Sequence, residues 1–177
     1  MKQIKLLSLL LVILLAFSTT ATAKSAKSID SDANKAINMF IEDNKGGDAF
    51  LVKAKAFLVF PDIKEAGMFI GGKFGEGVGR TTKAYYSITA ASVGMQMGAQ
   101  QYAMIIAITS DAALNKFLLD DDWKTDIDGK IAMAEWNSKE ELDSIDFDDD
   151  MVAFVFDSKG MMGSFTMEGT KFKRIKP

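Results

Sequence analysis

Gly67, Gly72 and Lys73 stand at the spacing G-x-x-x-x-G-K that opens a phosphate-binding loop, where backbone N–H groups and a lysine cradle a triphosphate. The next residue is Phe74, so the hydroxyl that would ligand magnesium is missing. Gly75, Gly77 and Gly79 would break the helix that must follow. The dinucleotide pattern G-x-G-x-x-G fails as well, because in Gly75-Glu76-Gly77-Val78-Gly79 the third glycine comes one residue early. A calcium loop is the other metal-linked candidate. Counting back from Gly129, Asp126, Asp128 and Glu135 fit positions three, five and twelve, but position one is the cation Lys124. The chain has neither His nor Cys, which excludes Ser-His-Asp and cysteine nucleophiles and the usual zinc sites. Carboxylate chemistry remains open, since Asp and Glu can act as a pair, but it would need two of them facing one cleft. The expectation is a protein without catalytic activity, cofactor or metal.

The glycines then need another reading. Residues 67–80 hold Gly67, Gly71, Gly72, Gly75, Gly77 and Gly79 among bulky residues, as in a strand that bends. Gly71-Gly72 is read as a bulge or corner and Gly75-Glu76-Gly77 as a tight turn. "KAFLVFP" before them is a strand stopped by Pro61, followed by a turn or short helix over 62–66. Residues 84–109 continue as strand with period-two alternation. "MVAFVF" and "MMGSFTM" read as a hairpin turning at 157–160, and "TKFKRI" as a last edge strand. Two helices flank these strands. Ala33, Ala36, Ile37, Phe40 and Ile41 line one helical face capped by Ser31 or Asp32, behind a loose polar stretch over 24–30 and ended by Gly46-Gly47. Asp111 caps a short second helix, "AALNKFLLD". The order helix, strands, short helix, strands predicts an α+β fold with a strongly curved, mainly antiparallel sheet, barrel- or sandwich-like.

Lys2 and Lys5, the apolar run Leu6–Phe17 and Ala21-Thr22-Ala23 form the three parts of a secretory signal peptide, cut near Ala23. The run is shorter than the roughly 20 residues that span a bilayer, and there is no cysteine to carry a lipid. Residues 1–23 are thus a leader and 24–177 one domain, exported to the periplasm or outside the cell. This remainder carries 19 basic and 24 acidic residues, a balance that does not suggest nucleic acid. Charge is uneven: 120–150 holds thirteen acidic residues and three lysines, and the end of the chain is basic.

Four segments, "AKAFLVFPDIKEAGMFIGGKFGEGVGR" (54–80), "YYSITAASVGMQMGAQQYAMIIAIT" (85–109), "DAALNKFL" (111–118) and "VAFVFDSKGMMGSFTMEGTKFKRI" (152–175), resemble the SYLF-domain family. Its members are lipid-binding modules of bacterial exported proteins and of eukaryotic membrane and actin regulators. The resemblance implies binding to lipid or a membrane surface without catalysis. Phosphoinositide specificity and actin binding are not carried over: the first depends on an N-terminal amphipathic segment that a leader replaces here, and the second does not suit an exported chain. The net-positive zone over 53–83 could meet anionic headgroups. The candidate lipid contacts are Lys53, Lys55, Lys73, Phe74, Arg80, Lys83 and Tyr85, with Lys173 and Arg174 from the basic tail. The alternative is a structural or protein-interaction domain of the cell envelope whose acidic 120–150 sector meets a basic partner.

Overall fold

The computed structural model describes residues 23–134, 141–142, 148–160 and 165–177. All of the leader but Ala23 lies outside the described residues, as do Glu135 of the calcium-loop reading, parts of the acidic sector and the start of "MMGSFTM".

Helix α1 (Ala26–Asp43) starts at Ser25, whose Oγ accepts from Ser28 N at 3.3 Å. The start falls well ahead of Ser31, inside the stretch that reads as loose. Ile29 accounts for this: it is fully buried and extends the face of Ala33, Ala36 and Phe40 by one more turn. Asn44 ends the helix by donating from Nδ2 to Phe40 O at 2.6 Å. Gly46, at φ 77°, then leads into a second short helix, α2 (Gly47–Lys53), that the sequence reading did not foresee.

Strands β1 (Ala56–Gly79) and β2 (Ala84–Ile108) form one long antiparallel hairpin. Pro61 does not stop β1, and 62–66 is strand, not turn or helix. Pro61 and Asp62 occupy a register shift between Phe60 and Ile63, where a residue without an N–H leaves no ladder bond broken. A second shift, between Met68 and Ile70, makes the corner. There the backbone closes so tightly that a Cβ on Gly67 would lie 2.7 Å from Gly71 Cα. Beyond the corner the second half of β1 returns across the first. Arg80 N donates to Phe57 O at 3.0 Å. A Cβ on Gly77 would run into Val59 O and the Phe60 ring, and one on Gly75 would come within 2.9 Å of the Ile63 side chain. The Gly75-Glu76-Gly77 segment is therefore paired strand in close backbone contact and not a tight turn.

The other edge of β2 is shared. β4 (Met151–Gly160) runs beside Gln100–Ile108, and β5 (Lys171–Ile175) beside Tyr85–Thr89, both antiparallel. β3 (Ala132–Met133) adds to β4 in parallel. Helix α3 (Asp111–Leu119) follows β2 and is capped by Ser110, with Asp111 as its first helical residue. The expected hairpin turn at 157–160 is instead a bulge within β4: Asp157 takes φ 49° where the register with β2 shifts. The result is α+β, with a mainly antiparallel sheet that is curled but not closed.

Strand alternation sorts side chains into two cores. Leu58, Phe60, Tyr86, Ile88, Met104 and Ile106 point inside the curl, where they meet Phe117, Trp123 and Phe172. Val59, Val78, Ile105, Ala107, Val152 and Phe154 point outward beneath α1. Each such burial contributes roughly 1.5–3 kcal/mol, which suits a domain without disulfides.

Candidate functional site

Residues directly opposite in an antiparallel pair share a face, so the registers map the outer surface of β1–β2–β5 row by row. Val78, Tyr85 and Ile175 form one row; Glu76, Ser87 and Lys173 the next; Phe74, Thr89 and Lys171 a third; then come Gly72 with Ala91, and Ile70 beyond them. The start of α1 covers the first row: Val78 is buried, and Tyr85 Oη donates to Asp30 Oδ2 at 3.0 Å. At Glu76 the chain ahead of the helix is met by a bond from Lys24 N. Beyond that point nothing in the described structure covers the face. Phe74 stands 44% exposed and Ile70 73% exposed, four residues apart on one strand side. Lys173 is exposed on the neighbouring row, and Lys171 forms an ion pair with Asp122 at 2.8 Å.

Only two of the expected contacts, Phe74 and Lys173, lie on this open strip. Lys73 faces the other way. It is 7% exposed, and its Nζ donates to Thr166 O at 2.6 Å. Burial pushes its ammonium below the ordinary lysine value, with Glu65 acting in the opposite sense. Arg80 fastens α1 to the hairpin through Asn34 Oδ1 at 2.6 Å, Asp30 O at 3.3 Å and Asp30 Oδ1 at 3.7 Å. Tyr85 shares that anchorage, and its bond to Asp30 raises the phenol above its usual pKa. Lys55 pairs with Asp111 at 3.1 Å, and Arg174 with Asp121 at 3.3 Å while lying 6.0 Å from the Tyr86 ring centre. Lys53 ends α2 and is exposed, and Lys83 is exposed in the turn between β1 and β2. Most of the basic zone therefore holds elements together. What the strip adds to the sequence reading is Ile70 and Lys171, and the register supplies the signal: both lie at even steps from Phe74 and Lys173.

Residues 89–176, from the middle of β2 to the end of β5, match the family Ysc84, described as a Las17-binding protein actin regulator. This is the SYLF-domain family that the four segments of the sequence resemble. The family is one of actin- and lipid-binding domains. No curated protein matches the chain. The match begins within β2, so the glycine-rich block of β1 precedes it and joins the SYLF domain through the hairpin.

Two further features of the SYLF domain escape sequence reasoning. Inside the curl, Glu65 Oε2 accepts from Gln100 Nε2 at 3.0 Å and from Tyr102 Oη at 3.1 Å, all three side chains being buried. Burial first, and Glu65 second, push the Tyr102 hydroxyl far above the ordinary tyrosine pKa. A polar cluster there leaves no periodic mark, because its members come from two strands and meet only through the β1–β2 register. On the other side, a cleft of about 390 Å³ opens between α3 and the acidic sector, lined by Lys116, Asp128, Asp148, Asp149 and Asp150 among others. Asp128 Oδ2 itself accepts from Lys124 N, so this carboxylate closes its own loop. No helix among the described residues is long and apolar enough to cross a membrane.

Proposed function

We propose that this SYLF domain is an exported, non-catalytic module that binds anionic membrane surfaces with the open strip of β1–β2–β5. The observation that carries the reading is the uncovered pair Ile70 and Phe74, on the same outer face as Lys171, in the Phe74 row, and Lys173, one row away. Apolar side chains entering the headgroup boundary gain roughly 25 cal/mol per Å² removed from water. Each cation near an anionic surface adds about 1 kcal/mol. Lys171 contributes less than Lys173, because Asp122 already neutralises it. The actin named in the family description is not part of this reading, since an exported chain would not meet it.

Co-sedimentation of residues 24–177 with vesicles tests the proposal. Binding to anionic vesicles at low salt is expected, with little to neutral ones. Phe74→Ser and Lys173→Glu each weaken binding several-fold, whereas Lys55→Gln leaves it nearly unchanged. Equal binding by all four proteins would overturn the strip as the contact surface. The acidic cleft supports a second reading, in which a basic envelope protein docks against Asp148, Asp149 and Asp150. A partner captured by the wild type and lost on neutralising these three residues, with vesicle binding intact, would favour it.

A further inference from the structure

Lys24 lies just ahead of the Ser25 cap and is surrounded by carboxylates. Its backbone N donates to Glu76 Oε2 at 3.0 Å. Its Nζ lies 3.1 Å from Asp32 Oδ2 and 3.7 Å from Asp62 Oδ2. These acids are shared with two other cations, Lys35 at 3.6 Å from Asp32 and Lys64 at 3.8 Å from Asp62. Glu76 is the carboxylate that the Lys24 backbone nitrogen meets. Ala23 is exposed and outside any helix or strand, and the bond from Ala23 to Lys24 is where the small-x-small pattern places leader cleavage.

We infer that Glu76 is the receptor for the α-ammonium group created at Lys24 when a signal peptidase removes the leader. The inference rests on the leader, not on membrane binding by the strip. Hydrolysis adds water across the Ala23–Lys24 peptide bond: the C–N bond breaks, the water oxygen leaves with Ala23 as a carboxylate, and both water hydrogens end on the Lys24 nitrogen, turning its N–H into an ammonium group. Before cleavage that nitrogen offers Glu76 one neutral N–H. Afterwards it offers a charged group with several donors, and hydrogen bonds of that kind are roughly twice as strong. The placement also answers an electrostatic difficulty. An ammonium beside a helix start faces the positive end of the helix dipole. Glu76 supplies the compensating anion from the strand beneath. Processing thereby fastens the first turn of α1 onto β1 at the border of the open strip.

Three measurements test this. Intact mass of the protein exported from the full-length gene gives Lys24 as the first residue; a different first residue overturns the inference. The chain starting at Lys24 is then compared with its N-acetylated form, which keeps the neutral N–H and removes the charge. The free-amine form melts about 2–4 °C higher, the shift that one charge-assisted contact gives a domain of this size. In Glu76→Gln that difference disappears; a difference of the same size in Glu76→Gln, or none in the wild type, overturns the inference. Anionic-vesicle binding of the two wild-type forms stays within about two-fold, so failure here and failure of the membrane reading are read on separate assays.

Discussion

Lys73 and Phe74 are consecutive, yet one ends inside the curl on Thr166 O and the other in solvent. Strand geometry forces that separation, because successive side chains point to opposite faces. The inward position places Lys73 near Glu65, the carboxylate that also receives Tyr102. The consequence for pH is specific. The folded-state pKa of Tyr102 is raised, so the stability gained by keeping its proton is complete below the usual tyrosine value of about 10. It is lost as pH climbs through the higher folded value. Lys73 acts in reverse: its folded value is lowered, so its ammonium costs stability at neutral pH, and that cost is relieved on deprotonation in the alkaline range. Ultraviolet titration should show Tyr102 ionising well above the ordinary tyrosine range, close to alkaline unfolding. Tyr102→Phe should remove that late step. A late step that persists in the variant would contradict the buried cluster.

At the scale of elements, the glycines of β1 act by what they allow to approach. Gly77 has the Val59 carbonyl and the Phe60 ring where a methyl would go, whereas Gly72 has Ala90 O alone, at 3.2 Å. Gly77→Ala should therefore cost about 3 kcal/mol by overpacking, and Gly72→Ala clearly less, measured by chemical denaturation. Similar losses at both sites would mean that the two halves of β1 are not in backbone contact. The same glycines explain what was legible beforehand and what was not. Their density announces a bending sheet, and the bend is there. Which of them makes the corner is not legible, because a tight turn and a close strand crossing both select the residue without a Cβ. Pro61 misleads similarly: it marks the end of a strand unless a register shift hides its missing N–H. The faces of 67–77 were also unreadable, since alternating glycines erase the period that would have shown Lys73 pointing inward. Helices carry a stronger mark. Ala33, Ala36 and Phe40 lie on the buried side as their spacing predicts, and only the outlying Ile29 shifts the start.

Across the whole molecule, cations concentrate in residues 53–83 and in β5 and acids in 120–150, but ion pairs such as Lys55–Asp111 and Arg174–Asp121 consume much of that asymmetry. Surface pairs of this type are worth about 0–1 kcal/mol each in stability. Their larger effect is to leave few cations available to a membrane, so charge alone would bind weakly and the apolar pair must share the task. The account stands on Phe74 entering the lipid boundary. With no native cysteine in the chain, Phe74→Cys provides a single attachment point for a nitroxide, and Asn115→Cys on α3 provides a control. Accessibility of the label to water-soluble and lipid-soluble relaxants, read by electron paramagnetic resonance on anionic vesicles, tests the claim most directly. The account predicts that the label at 74 becomes shielded from water and exposed to the lipid-soluble relaxant, while the label at 115 stays in water. A label at 74 that remains as water-accessible on vesicles as in solution would contradict it.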